Sequence, residues 1–202
     1  NDAPAFIRCN IEHAFPPEST DGLSPSRAFG NGFGKNIELV FSKAIGEFLE
    51  RYFLLLYRRD KLLRTSFASS QKKGYAAVDP HAFAGFSVDQ KRQWPRYQFD
   101  EQSVFYWEVT RRVSTGQEIL VPAQLIFWNY DFAPDEPVLQ HTITNGAGGW
   151  FNREGAILAG LYELIQRDAF LIYWLNGISP PRIHPESVPD EKFQNLFKES
   201  KR

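Results

Sequence analysis

Two short stretches of the chain combine residue types that can do chemistry at a spacing that brings them together. One is Glu47-Phe48-Leu49-Glu50-Arg51 and the other Glu163-Leu164-Ile165-Gln166-Arg167, both of the form Glu-apolar-apolar-[Glu/Gln]-Arg. On a helix, residues i, i+3 and i+4 share a face. Glu47, Glu50 and Arg51 therefore form one polar patch, and Glu163, Gln166 and Arg167 a second. Two such faces turned toward each other would make an oxygen-rich pocket. Clustered carboxylate oxygens suit Mg2+, which keeps several waters and takes a few carboxylates plus substrate phosphates. The arginine forks would match phosphate oxygens. Each motif follows a glycine-rich run, Gly30-Asn31-Gly32-Phe33-Gly34 or Asn145-Gly146-Ala147-Gly148-Gly149, and Gly32 precedes Glu47 by the same interval as Gly148 precedes Glu163. Glycine turns at helix N-termini add backbone N–H donors for an anion. The plainer alternative is that Glu47 with Arg51, and Glu163 with Arg167, are ordinary helix-surface pairs worth about 0.3–0.5 kcal/mol each. Finding the pattern twice brings the two readings to an even balance.

Other chemistries find less support. His13, His81, His141 and His184 are scattered with no metal-ligand spacing. Cys9 is the single cysteine, which excludes an intrachain disulfide and a cysteine-based zinc site. Neither glycine run continues into the Gly-Lys-Ser/Thr of a P-loop, and no Gly-x-Ser-x-Gly elbow is present.

The elements that must carry these motifs can be read from periodicity. Residues 1–36, rich in Pro, Gly and Ser, read as an extended arm ending in the first glycine turn. Residues 37–58 show helical spacing at Ile37, Phe41, Ile45, Phe48, Tyr52 and Leu55, with Asn36 as N-cap. Tyr57–Lys73 holds six basic residues and reads as a solvated helix end with a mobile loop, or as a basic edge for an anionic or peptide partner. Val104–Val113 and Glu118–Trp128 read as strands joined by Ser114-Thr115-Gly116-Gln117, and Val138–Thr144 as another. The second glycine run leads into an apolar helix over about 152–175, expected to be mostly buried, so that its charges need partners. A last short helix is expected near Ser187, with Ser187 and Asp190 as a capping box.

Composition sets the bounds. At 202 residues and 23.3 kDa the chain fits one large domain or part of a bigger one. With 43% hydrophobic, 23% charged and 15% aromatic residues, it is neither disordered nor fibrous. A net charge of −1 argues against a general nucleic-acid or membrane-surface binder. No apolar run is long enough to span a bilayer, and no signal peptide heads the chain, so a cytoplasmic location is the default expectation. The chain begins with Asn1 and contains no methionine, which suits a fragment.

At these residues the sequence resembles the YcaO family of ATP-dependent peptide-backbone-modifying enzymes. The matching stretches are Ala44-Ile45-Gly46-Glu47-Phe48-Leu49-Glu50-Arg51-Tyr52, Val121-Pro122-Ala123-Gln124-Leu125, Thr144 through Gly149, and Glu163-Leu164-Ile165-Gln166-Arg167-Asp168-Ala169 on to Trp174-Leu175-Asn176. The resemblance spans about 30–183. It implies an α+β fold of antiparallel strands packed with long helices, with the nucleotide site between two glycine-turn/helix units. The chain would be a single incomplete domain: arm 1–36, first motif helix 37–58, strands 104–144, glycine turn and second motif helix 145–175, and the family's C-terminal half absent.

The resemblance also implies a reaction. A Cys, Ser or Thr side chain of a ribosomally made precursor peptide adds to the preceding amide carbonyl. ATP phosphorylates the amide oxygen, and phosphate leaves to give a thiazoline or oxazoline, so the implied enzyme is a cyclodehydratase. An amide oxygen is a very poor leaving group, and phosphorylation makes it a good one. Carried over by position, Glu47, Glu50, Glu163 and Gln166 are the implied Mg2+ ligands, and Arg51, Asn145, Arg167 and Lys43 the implied ATP-binding residues. No catalytic residue is assigned. The implied partners are the precursor peptide and a leader-peptide-binding protein or domain. Neither nucleic acid nor membrane is expected, and a homodimer is compatible. Three residues depart from the family's pattern: Gln166 replaces a usual carboxylate, Lys43 a frequent Ser, and Asn31 a frequent Lys. Other readings are a non-catalytic peptide-binding or scaffolding member, a member making thioamide or amidine, and an unrelated metal-dependent phosphate enzyme.

Overall fold

In the computed structural model, which describes residues 6–14, 27–83 and 85–200, the chain divides into two units. The first contains residues up to Ile11, Phe29–Glu50 and Asn145–Arg202; the second contains Glu12–Ala28 and Arg51–Thr144. Helices and antiparallel strands are mixed, as an α+β fold requires.

Strands β1 (Ile7–Ala14) and β2 (Arg27–Gly34) form a two-stranded sheet. The first glycine run, expected to be a turn, is thus a strand. Its burial alternates, with Ala28, Gly30 and Gly32 on the covered face. Helix α1 (Ile37–Leu55) follows. Its N-cap is Asn36, whose Oδ1 accepts from the Leu39 N–H at 2.9 Å. Gly30 and Gly32 lie so close to α1 that a Cβ on Gly32 would overlap the Val40 carbonyl oxygen, and one on Gly30 that of Ala44. Only glycine fits such an approach of backbone to backbone.

Helix α4 (Arg153–Leu175) repeats the arrangement in the same unit. Asn152 caps it, accepting from the Gly155 N–H at 2.7 Å. The run 146–149 lies antiparallel along it: Gly148 faces the Ala156 carbonyl and the Gly160 N, and Gly160 faces the Gly146 carbonyl. Contrary to expectation, α4 is largely exposed, with Gly160 its only buried residue among those described. Most of its large apolar side chains are exposed among the described residues. Helix α5 (Glu191–Ser200) ends the unit. Asp190 rather than Ser187 caps it, accepting from the Phe193 N–H at 3.0 Å, while the Ser187 hydroxyl donates to the His184 carbonyl at 2.7 Å.

The second unit is built on the antiparallel sheet β3 (Leu63–Ser66), β4 (Val104–Arg111) and β5 (Glu118–Pro122), with β4 central. Leu63 pairs with Trp107, and Trp107 with Pro122. The β4–β5 turn lies where the sequence puts it, with Gly116 in the left-handed region that favours glycine. Phe105, Trp107, Leu120 and Leu139 make the buried core. Three local differences from expectation have simple causes. The 57–73 segment holds β3 and the short helix α2 (Phe67–Lys72), because the residues 63–66 pair along the edge of β4 there. β5 stops at Pro122, after which Ala123–Leu125 turn as a 3-10 helix. Residues 138–144 form no strand, because the Val138 N–H donates to the Arg96 carbonyl and the Leu139 N–H to Gln124 Oε1 rather than to a ladder. A further helix, α3 (Val88–Gln93), carries a capping box of Ser87 and Gln90.

Candidate functional site

The first unit holds seven of the eight residues singled out for a metal and nucleotide site: Lys43, Glu47, Glu50, Asn145, Glu163, Gln166 and Arg167. Each carboxylate takes a backbone N–H from a glycine run. Glu47 Oε2 accepts from the Asn31 N–H at 2.6 Å, Glu50 Oε2 from the Gly149 N–H at 2.8 Å, and Glu163 Oε2 from the Gly146 N–H at 3.0 Å. Hydrogen bonds to an ionised acceptor are the stronger kind. Two of the three carboxylates fasten a glycine run to the helix it lies on, and Glu50 on α1 reaches the run that lies on α4.

The two halves match position by position. Gly32, Asn36, Val40, Glu47 and Glu50 of the first correspond to Gly148, Asn152, Ala156, Glu163 and Gln166 of the second, at one constant offset. In both, the second glycine of the run presses on a carbonyl at the fourth residue after the capping Asn. In both, the first Glu of the motif holds an N–H of the preceding run. The repeated motif therefore has a repeated structural job.

The remaining residues lie around this frame. Arg167 Nη2 donates to Glu163 Oε1 at 3.2 Å, so both Glu163 oxygens are engaged. Lys43 Nζ donates to the Phe33 carbonyl of β2 at 3.3 Å. Asn145 and Gln166 are exposed. Arg51 opens the second unit, where its guanidinium lies 5.7 Å from the Trp128 ring centroid. Among the described residues no three His, Cys, Asp or Glu side chains gather to hold a metal ion. The carboxylates turn instead to main-chain donors close at hand.

Reasoning from sequence expected N–H donors in the glycine runs for an anion, but not that the motif carboxylates themselves would take those of Asn31, Gly146 and Gly149. The signal for them was the equal interval between glycine run and motif. Three of the six basic residues in 57–73 meet acids in the second unit: Arg58 pairs with Asp60 at 2.8 Å, Arg59 with Asp131 at 3.2 Å, and Arg64 with Asp135. That favours a structural role over an anion-binding edge.

A deeply buried polar cluster also lies in that unit. Glu136 is only 2% exposed. It accepts from the Tyr130 hydroxyl at 2.9 Å, the Tyr106 N–H at 3.2 Å and the Ala133 N–H at 3.4 Å. Burial pushes its carboxyl above the ordinary range, against the pull of these donors, and burial likewise raises the Tyr130 and Tyr57 hydroxyls. The cluster ties the 130–139 loop to β4 and is read as structural.

Residues 31–202 match a family model described as YcaO cyclodehydratase, ATP- and Mg2+-binding. Three solved structures are similar. A heterocyclase in complex with substrate and cofactor has a TM-score of 0.68 at 23% identity over 86% of this chain and 24% of its own. The heterocyclase TruD has 0.62 at 22% over 79% of this chain and 25% of its own. YcaO from Methanopyrus kandleri, bound with AMPPCP and Mg2+, has 0.56 at 21% over 86% of this chain and 38% of its own. The chain thus spans a quarter to two-fifths of the length of these structures. No curated protein matches it.

Proposed function

The chain belongs to the YcaO family, and from that premise we propose that it takes part in ATP- and Mg2+-dependent activation of a peptide backbone amide, giving thiazoline or oxazoline rings in a ribosomally made precursor peptide. The observation that carries this reading is the duplicated frame in which Glu47, Glu50 and Glu163 meet the N–H groups of two glycine runs.

The residues fit the cofactors on donor chemistry. Glu47, Glu50, Glu163 and Gln166 offer only oxygen, which suits a hard dication. Mg2+ asks for one or two carboxylates with phosphates and waters completing the set, so a finished three-carboxylate cage is not needed. Bound ATP supplies the phosphoryl group that turns the amide oxygen into a leaving group. The chain's task is positioning and charge stabilisation. Glu47 and Glu163 keep the glycine runs against α1 and α4, so their N–H groups stay directed. Arg167 fixes the Glu163 carboxylate from one side and offers its remaining donors to phosphate oxygens. Lys43, Arg51 and Asn145 complete the anion-binding set. The precursor peptide and a protein or domain that binds its leader are the partners. The cytoplasm is the proposed location, and no helix among the described residues is long and apolar enough to cross a membrane.

The test is titration of the chain with Mg2+·ATP by calorimetry, with phosphate release measured in the presence of a Cys/Ser/Thr-rich peptide. Mg2+-dependent binding that Glu47→Ala removes, in a variant that still folds, is expected. Binding indifferent to both Mg2+ and Glu47 would overturn the assignment. Gln166 favours a second reading, a non-catalytic peptide-binding member, since one negative charge is missing from the set. Peptide binding without any ATP turnover in the complete protein would select it.

A further inference from the structure

The second unit presents a surface that the metal and nucleotide reading does not use. Helix α3 ends at Gln93, Trp94 closes it, and Pro95–Tyr97 make one turn of 3-10 helix. Trp94 stands 57% exposed. Its ring lies 5.9 Å from that of Tyr97 and nearly parallel to it, and Phe86 stacks on Tyr97 at 4.0 Å. His141 stands almost at right angles to both Phe86 and Tyr97. Grouped exposed aromatic surface marks a contact site. The segment that carries the rings is also held in place. The Tyr97 N–H donates to the Trp94 carbonyl at 2.9 Å, Gln98 Nε2 to the Lys91 carbonyl at 2.9 Å, and the Val138 N–H to the Arg96 carbonyl at 2.7 Å. A surface fixed in this way loses little freedom when a partner orders on it.

Its charge is unbalanced. Between Phe86 and Phe99, Lys91, Arg92 and Arg96 stand against Asp89 alone. Arg92 takes Asp89, at 3.2 Å. Lys91 and Arg96 lie instead on rings, with Lys91 Nζ 5.2 Å from the Phe99 centroid and the Arg96 guanidinium 5.8 Å from that of Phe132. Among the described residues neither meets a carboxylate, unlike Arg58, Arg59 and Arg64 of the same unit. The acids nearest in sequence are turned to their own loops: Asp79 accepts from the His81 N–H, and Asp100 from the Gln102 N–H and the Ser103 hydroxyl. A ring attracts a cation without neutralising it, so Lys91 and Arg96 keep their charge for a partner.

We infer that this surface docks an acidic peptide segment that carries aromatic side chains, its carboxylates meeting Lys91 and Arg96 and its rings packing on Trp94 and Tyr97. The source of that segment rests on the function proposed above: it is a stretch of the precursor peptide other than the one whose amide is activated. Charge complementarity steers the encounter, and an aromatic anchor at the centre of an interface supplies a large share of its affinity. Two unpaired cations are too few to follow a phosphate backbone, and the chain's net charge of −1 also argues against nucleic acid here.

The experiment is fluorescence anisotropy of labelled peptides, without ATP or Mg2+, on the parent chain and on variants first checked for folding by circular dichroism. The probes are peptides of equal length with alternating Glu and Tyr, alternating Lys and Tyr, and alternating Glu and Ala. The parent should bind the Glu–Tyr peptide about tenfold more tightly than either of the others, and added salt should weaken that binding. Trp94→Ala should lower the Glu–Tyr affinity by about tenfold. The double variant Lys91→Glu, Arg96→Glu should turn the preference over to the Lys–Tyr peptide, a gain that a misfolded chain could not show. Arg58→Glu, which reverses a cation already paired with Asp60, should leave the preference as it is. Equal affinity of the parent for the Glu–Tyr and Lys–Tyr peptides, no change in Trp94→Ala, or no turnover of preference in the double variant would each overturn the inference. Self-association of the parent that Trp94→Ala abolishes, with no peptide bound, would overturn it and give the surface to a second copy of the chain. Because neither ATP nor Mg2+ is present, failure here leaves the nucleotide reading standing, and failure of the Mg2+·ATP titration leaves this peptide binding untouched.

Discussion

At the scale of single residues, the three carboxylates of the first unit do two jobs that substitution can separate. Glu47 holds the Asn31 N–H and is also proposed to hold Mg2+. A glutamine retains the accepting oxygen and loses the charge, whereas an alanine loses both. Glu47→Gln should therefore unfold in denaturant close to the parent, and Glu47→Ala should be less stable by about 1 kcal/mol, the net worth of one hydrogen bond. Both should lose Mg2+ binding. Equal stability of Gln and Ala variants would show that the bond to Asn31 contributes nothing. Gln166 is the counterpart of Glu50, so Gln166→Glu should complete the set. An added carboxylate brings one more negative charge toward the dication. Mg2+ should then be required at a lower concentration in an ATP-binding titration, and an unchanged Mg2+ dependence would remove residue 166 from the metal's surroundings.

At the scale of elements, the decisive contact is glycine against helix backbone. Gly32 on α1 and Gly148 on α4 each face a carbonyl that an added methyl would overlap. Gly32→Ala and Gly148→Ala should each force the run off its helix and cost about 3 kcal/mol, the upper range for overpacking. Such a shift would also move the Asn31 or Gly146 N–H away from its carboxylate. Gly46, in the middle of α1, has open space where a Cβ would stand. Gly46→Ala should stabilise by about 1 kcal/mol, since alanine is the better helix former. Thermal melting of the three variants checks the contrast, and similar losses in all three would refute the packing argument.

At the scale of the whole molecule, burial of Glu136 should leave a mark on stability against pH. Its carboxyl titrates above the ordinary range because burial disfavours the charge. For an acid raised in this way, the folded state binds the proton more tightly than the unfolded chain. The stabilisation is complete below the ordinary carboxylate value and is lost as pH rises through the raised one. Asp60 and Asp100 act in the opposite sense, held low by the Arg58 and Ser103 hydrogen bonds, and their contribution is lost as pH falls. Comparing the parent with Glu136→Gln cancels those two. The melting temperature of the parent relative to the Gln variant should fall across the window above the ordinary carboxylate value. A constant difference over that range would mean that Glu136 does not change its protonation there.

The sequence alone was enough for the two motif helices, the β4–β5 hairpin and the family. These are encoded locally: helical period at Ile37, Phe41 and Ile45, a Gly116 turn between β-rich runs, and two motifs at matched spacing. Asn36 and Asn152 were in reach for the same reason, since a cap acts within one turn. What lay out of reach depends on partners distant in the chain. β3 is a strand because β4, some forty residues on, offers it a ladder, while 138–144 is not a strand because Arg96 and Gln124 take its bonds. Gly30 and Gly32 read as a turn, and only the backbone of α1 lying against them shows that their missing side chains serve close packing. The carboxylates were readable as oxygen donors, but that Glu47, Glu50 and Glu163 hold main-chain N–H groups was decided by tertiary structure, because a hydrogen bond depends on where the donor points and side-chain spacing along one helix does not contain that direction.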